Sequence, residues 1–245
     1  MKANRVKCSE CALHPLCLPA SVSVEEIERL EEIVLQRRPM QRGERLYNAG
    51  EPQRAVFVAS QGSFKTSVVN EGGEEQTLAF FMPGELIGLD GLAAGIHRCD
   101  AVALEPSLVC EVPMGSLERL SQRMPGLQWQ LLRNIGKSMT QDQEHLEMMG
   151  RKQAQDRLAM FLHGLSERQR ALNRPADVLL LSMGRADIAS FLGLVIETVS
   201  RGLGQMQDNG LISVHGREIR ILKPDVIEAM AHGEHEPLAP LKRRA

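Results

Sequence analysis

Three cysteines, Cys8, Cys11 and Cys17, form a Cys-x2-Cys-x5-Cys run inside a loop-like N-terminus. Thiolate sulfur is the metal-binding form of cysteine, and spacings this short let one loop wrap a single metal centre. Three ligands need a fourth, and the candidates are Cys99, Cys110, His14 and His97. Four thiolates suit either a 4Fe-4S cluster or a tetrahedral structural zinc, and spacing does not separate the two. A downstream cysteine that is not a ligand reads as a small buried hydrophobe.

A second constellation lies near the C-terminus. From Ser182 to Arg201 two short amphipathic segments flank Gly193, in the pattern of a helix-turn-helix. Ile188, Ala189 and Leu192 pack inward, and the second helix continues through Val199, Leu203 and Met206. Asn209-Gly210 ends it, after which Leu211–Val214 and Glu218–Leu222 alternate about His215-Gly216-Arg217 as a β-hairpin wing. Glu197, Ser200 and Arg201 share one face near the start of the second helix. In a DNA major groove, Arg donates twice to guanine, Glu accepts from cytosine N4 and Ser adapts to either base edge. Arg185, His215 and Arg217 are candidates for phosphate contacts, which position a helix without reading sequence.

These groups need scaffolds. Ser23 to Gln36 reads as an amphipathic helix with Ser23 as its cap. Between Pro39 and Pro113 the short apolar runs Ala55–Ala59, Thr66–Val69, Thr77–Phe81 and Leu108–Val112 are separated by Gly, Pro and Asn, which predicts a small β-barrel or sandwich. After Pro125 no proline occurs until Pro175, and Leu132, Ile135, Met139, Asp142, Leu146 and Met149 recur three and four residues apart. Two supercoiled helices bury such a seam against each other. On a two-fold axis Asp142 would meet its own mate, a repulsion of roughly 3 kcal/mol at about 6 Å and an effective dielectric near 20. Such a dimer would be poised near dissociation.

The 245 residues, 43% apolar, predict two domains. No stretch approaches a membrane span and no secretory leader is read, so the expected compartment is the cytoplasm, where five cysteines do not form a disulfide framework. Net charge is −2, but residues 151–245 carry 14 Lys+Arg against 11 Asp+Glu and residues 1–150 carry 15 against 20. An excess of +3 is modest, so DNA binding rests on the local motif and not on bulk charge. No second cofactor site or paired acid and base residues favour a redox enzyme.

The motifs together resemble the FNR branch, named for fumarate and nitrate reduction, of the superfamily that includes the cyclic-AMP receptor protein. The resemblance is carried by Cys8-x2-Cys11-x5-Cys17, Pro83-Gly84-Glu85-Leu86-Ile87-Gly88, Val109-Cys110-Glu111-Val112-Pro113, Arg157-Leu158-Ala159 and Glu197-Thr198-Val199-Ser200-Arg201. It implies an α+β chain: a cluster-binding segment at 1–22, a cyclic-nucleotide-binding-like β-barrel (a double-stranded β-helix) at 23–124, a long dimerisation helix at 125–160 and a winged helix-turn-helix at 161–231; the polar, Pro-containing stretch at 232–245, without periodicity, reads as a flexible tail. It also implies that Cys110 is the fourth ligand, that the cofactor is an oxygen-labile 4Fe-4S cluster, and that Cys99 serves packing. The implied partners are a second copy of the chain, an inverted-repeat operator resembling TTGAT-N4-ATCAA, and RNA polymerase, met by the turn bearing Asn70, Glu71, Gly73 and Glu74. The superfamily's nucleotide pattern, Gly-Glu-Leu then Arg-Ser or Arg-Thr, falls on Gly88-Leu89-Asp90 and Arg98-Cys99. Leu89 and Cys99 replace the carboxylate and the hydroxyl, so no cyclic nucleotide is expected. A zinc-stabilised or redox-insensitive regulator of the same superfamily is the alternative. Ala12 and Leu16, beside the ligands, depart from the family pattern.

Overall fold

The computed structural model describes residues 7–36, 39–151 and 153–234. It divides into two compact units, residues 1–140 and 141–245.

The first unit begins with three 3-10 turns, Cys8–Glu10, His14–Leu16 and Leu18–Ser21. Helix α1, Val24–Ile33, starts where Ser23 offers its N–H to the Glu26 carboxylate at 3.1 Å. It stops three residues earlier than the periodicity predicts. Leu35–Gln36 is instead strand β1, pairing with the strand that carries Cys110.

Two four-stranded antiparallel sheets follow, in the orders β1-β8-β3-β6 and β2-β7-β4-β5. Their strands are β2 Arg45–Tyr47, β3 Ala55–Gln61, β4 Phe64–Val69, β5 Glu75–Phe81, β6 Leu86–Ile87, β7 Asp100–Ala103 and β8 Leu108–Pro113. The four predicted runs are β3, β4, β5 and β8. The short strands β1, β2, β6 and β7 escape sequence reading because two to four residues are too few to show alternation.

The period of two sorts β3 between two cores. Ala55, Phe57 and Ala59 face the barrel interior with Phe64, Ile87, Ala101 and Val109. Val56 and Val58 face outward into a second core with Leu18, Ile27, Leu30, Val112 and Leu127. Helix α2, Met114–Ser121, and the start of α3, Pro125–Gly150, cover that outer core through Leu117, Met124 and Leu127.

The expected continuous helix over 125–160 is corrected. α3 ends at Gly150, Arg151 and Gln153 are non-helical, and α4 runs separately over Ala154–Ala171. Gly150 weakens the last turn, and Arg157 Nε donates to the freed Arg151 carbonyl at 2.9 Å, which fixes the break.

The second unit holds α4, β9 (Val178–Leu180), α5 (Arg185–Leu192), α6 (Ile196–Asp208), β10 (Ile212–His215), β11 (Glu218–Ile221) and α7 (Pro224–His232). The expected tail begins inside α7 at His232, and most of it, residues 235–245, lies outside the described residues.

Candidate functional site

The decisive geometry is in strand β8. Gln36 and Val58 flank Cys110 on the two neighbouring strands, and Cys110 packs, like Val112, on the outer face. There it meets the N-terminal turns. Cys8, Cys11, Cys17 and Cys110 line one pocket of about 440 Å³, counting the part open to solvent, with walls from Leu18, Leu30, Val58 and Val112. Burial, reinforced by Cys110, Glu31 and Cys11, pushes the Cys8 thiol up to about 12. Burial and the same thiol neighbours push Cys17 to about 12, and burial with Cys11 raises Cys110.

This donor set fits a bound inorganic group. A buried His14 Nε2 has no partner and lines the same pocket. Among the described residues no three His, Cys, Asp or Glu side chains close on a single metal ion. One tetrahedral zinc would draw its sulfurs to about 3.8 Å from each other. Four thiols on one pocket wall suit either one tetrahedral zinc or a four-iron cluster.

Cys99 lies elsewhere. It is 3% exposed inside the barrel, with its thiol 3.4 Å from Asp90 Oδ2. Asp90 is the hub of that interior: Arg98 N–H donates to Oδ2 at 2.7 Å, the Tyr47 hydroxyl donates to Oδ1 at 3.2 Å, and His97 Nδ1 lies 3.2 Å from Oδ1. Tyr47 and His97 stack with centroids 3.6 Å apart. Asp90, in the 3-10 turn Leu89–Gly91, and His97, Arg98 and Cys99, in the segment leading into β7, are thus committed to one another, and His97 is not among the residues lining the cysteine pocket.

The N-terminal turns are anchored by side chains that motif reading does not single out. Ser9 gives both its N–H and its hydroxyl to Glu31 of α1 at 2.9 Å. Gln130 of α3, 4% exposed, donates to the Cys17 carbonyl at 3.2 Å. A polar residue in an otherwise apolar stripe is the only sequence mark of Gln130.

On α3 the seam residues Leu132, Met139 and Leu146 are 52%, 58% and 73% exposed; Asp142 and Met149 are also exposed, and Ile135 is half-buried. Partial burial raises the Asp142 carboxyl, against the attraction of His145. Trp129, 66% exposed and three residues before Leu132, extends the same uncovered stripe by one turn. The periodicity counted from Leu132 misses it.

In the second unit Gly193 takes φ +60, the left-handed turn the motif requires. Arg157 Nη1 donates to the Leu192 carbonyl at 3.0 Å, and His145 stacks on Phe191 at 4.1 Å with Nε2 2.8 Å from its carbonyl oxygen. These contacts brace the turn, a role for Arg157 that the sequence does not announce. α6 packs on α4 through Gly202, where an added Cβ would lie 2.4 Å from Leu158. Its other face leaves Glu197, Ser200 and Arg201 exposed. The β10–β11 hairpin pairs His215 with Glu218 across Gly216-Arg217, leaving His215 and Arg217 at an exposed tip. Arg185 opens α5 and is half-buried, its guanidinium held below its usual range by desolvation.

The β4–β5 turn is closed by its own side chains. Asn70 Oδ1 accepts from the Glu74 N–H, and its Nδ2 donates to the Glu74 carboxylate, both at 2.9 Å. Gly73 takes φ +80, and Asn70, Glu71, Gly73 and Glu74 are all exposed.

Comparison with known proteins agrees with this layout. Residues 37–124 match the cyclic nucleotide-binding domain model, and residues 156–230 match the Crp-like helix-turn-helix domain. The chain is 41% identical to the transcriptional activator protein anr of Pseudomonas aeruginosa over 94% of both chains. It is 36% identical to electron transport regulator A of Shewanella oneidensis over 92% of this chain and 90% of that one. It is 34% identical to the fumarate and nitrate reduction regulatory protein of Salmonella typhimurium, again over 92% and 90%. The solved structure of FixK2 from Bradyrhizobium japonicum matches with a TM-score of 0.73 at 28% identity, covering 81% of this chain and 97% of FixK2.

Proposed function

The chain belongs to the FNR-type transcription regulators of the cyclic-AMP receptor protein superfamily, and from that premise we propose that it is a cytoplasmic, oxygen-responsive regulator whose pairing and DNA binding depend on a 4Fe-4S cluster held by Cys8, Cys11, Cys17 and Cys110. The observation that carries the reading is the gathering of those four thiols on one apolar pocket while Cys99 is kept inside the barrel. When bound, such a cluster supplies an oxygen-sensitive inorganic centre.

The chain's own residues do the rest. Cys8, Cys11 and Cys17 close the N-terminal turns over β8, and Leu18, Leu30 and Val112 exclude water from the ligand side. The exposed stripe from Trp129 to Met149 pairs with that of a second copy, against the mutual repulsion of two Asp142 side chains. Pairing sets two α6 helices about 34 Å apart, one per half-site of an inverted repeat resembling TTGAT-N4-ATCAA. Arg201, Glu197 and Ser200 read its bases, while Arg185 and Arg217 hold phosphates. The Asn70–Glu74 turn, closed by its own side chains, presents an acidic surface to RNA polymerase. Cyclic nucleotides are not ligands, because Leu89 lacks a carboxylate and Asp90 is already engaged. No described helix is long and apolar enough to cross a membrane.

Anaerobic purification followed by iron and sulfide analysis tests the reading. It expects four of each per chain and absorbance near 400 nm that bleaches in air. A colourless, zinc-loaded protein would remove it.

A further inference from the structure

Two bridges tie the thiol-bearing turns to the barrel unit, and they end on different helices. Ser9, between Cys8 and Cys11, is held by Glu31 of α1. Beyond Cys17 the attachment is to α3. Gln130 Nε2 donates to the Cys17 carbonyl at 3.2 Å, Gln130 Oε1 accepts from the Ser21 hydroxyl at 2.9 Å, and Arg133 Nη1 donates to Ser21 Oγ at 3.0 Å. Gln130 is 4% exposed, so water does not compete for these bonds. The backbones are also unusually close. A Cβ added to Gly126 would lie 2.3 Å from the Ser21 carbonyl oxygen, so only glycine allows this approach of α3 to the Cys17–Ser21 turn.

Helix geometry decides what Gln130 connects. At 100° per residue, the mean direction of Leu132 and Ile135 lies about 170° from Gln130. One face of α3 therefore grips the backbone of a ligand residue while the opposite face carries the uncovered seam, with Leu132 52% exposed. Packed helices move as stiff bodies, and shifts of about 1–2 Å at an interface are enough to change pairing.

We propose that Gln130 is the coupling residue that transmits the state of the cysteine turns to the dimerisation face of α3. The inference rests on the regulator reading above and names the contact through which it acts. Glu31, by contrast, anchors the turn bearing Cys8 and Cys11 to α1 alone.

The test uses full-length wild type, Gln130→Met and Ser21→Ala, each prepared anaerobically with iron and again after chelation. Sedimentation gives the dimer dissociation constant of each form, and iron and sulfide are assayed in parallel. Methionine keeps the length of glutamine and removes both hydrogen bonds. All three chains are expected to take up equal iron and sulfide. The ratio of iron-free to iron-loaded dissociation constants should fall about tenfold in Gln130→Met, for two lost buried hydrogen bonds, and about threefold in Ser21→Ala. A merely structural role would weaken both forms alike and leave the ratio unmoved, which would overturn the proposal. Should Gln130→Met not fold, Ser21→Ala decides by the same ratio. A wild-type chain that takes up no iron fails the regulator reading itself, an outcome distinct from normal loading with unchanged coupling.

Discussion

Strands β3 and β8 separate two polar regions of opposite character. Inside the barrel, Asp90 is saturated: Tyr47, His97, the Arg98 N–H and Cys99 all converge on one carboxylate. Outside, Cys8, Cys11, Cys17 and Cys110 share an apolar wall with the unpartnered Nε2 of His14. A saturated network stabilises a fold and leaves little for a ligand to gain, whereas a buried nitrogen without a partner beside four gathered thiols leaves room for one. On the proposed reading the ligand-responsive place is the outer face, in a chain whose residues 37–124 match the cyclic nucleotide-binding domain model.

The largest effect that would break this contrast is ligand exchange between the two sides. Cys8→Ser should eliminate bound iron in anaerobic preparations, while Cys99→Ser should retain the wild-type iron and sulfide content; inversion of those contents would place the ligand inside the barrel. The next concerns what the outer pocket controls. Asp142→Ala should tighten the iron-free dimer about 100-fold, since two like charges near 6 Å cost roughly 3 kcal/mol. Sedimentation equilibrium measures this, and an unchanged constant would detach Asp142 from the seam.

Sharpening the interior half requires removing its hub. Asp90→Ala should lower unfolding stability in urea by about 2–3 kcal/mol, as expected for losing hydrogen bonds to a charged group, without changing iron content. The smallest effect is a pH dependence. Burial pushes the Asp90 carboxyl up, but the Arg98 N–H and then His97 outweigh it and leave the group below its usual range. A depressed folded value means stability present above the unfolded carboxylate value, about 3.9, and lost as pH falls through the folded one. Wild type should therefore lose stability below about pH 4 more steeply than Asp90→Asn, as read from urea midpoints across that range.

Motifs with a fixed local geometry were legible from the residues: the Gly193 turn, the Gly216 hairpin and the long strands β3, β4, β5 and β8. Cys110 is not separable from Cys99 by spacing, because the choice depends on which side of the sheet each thiol meets: Cys110 is set by its pairing in β8, and Cys99 by packing in the barrel interior just before β7. The family resemblance supplied that choice. Gln130, Glu31 and Arg157 stayed hidden for a related reason. Their roles lie in contacts to backbone atoms 113, 22 and 35 residues away, which leave no periodic trace. The break at Gly150 was missed because the apolar pattern continues from α3 into α4 without a proline to interrupt it.

The central claim is that the outer thiol pocket governs the grip on DNA. It is tested most directly by titrating one oxygen-free preparation, before and after iron removal at a single salt concentration, against a duplex carrying the inverted repeat. The account predicts operator affinity at least tenfold weaker without iron, for the lost pairing of two half-site readers; equal affinity in the two forms would contradict it.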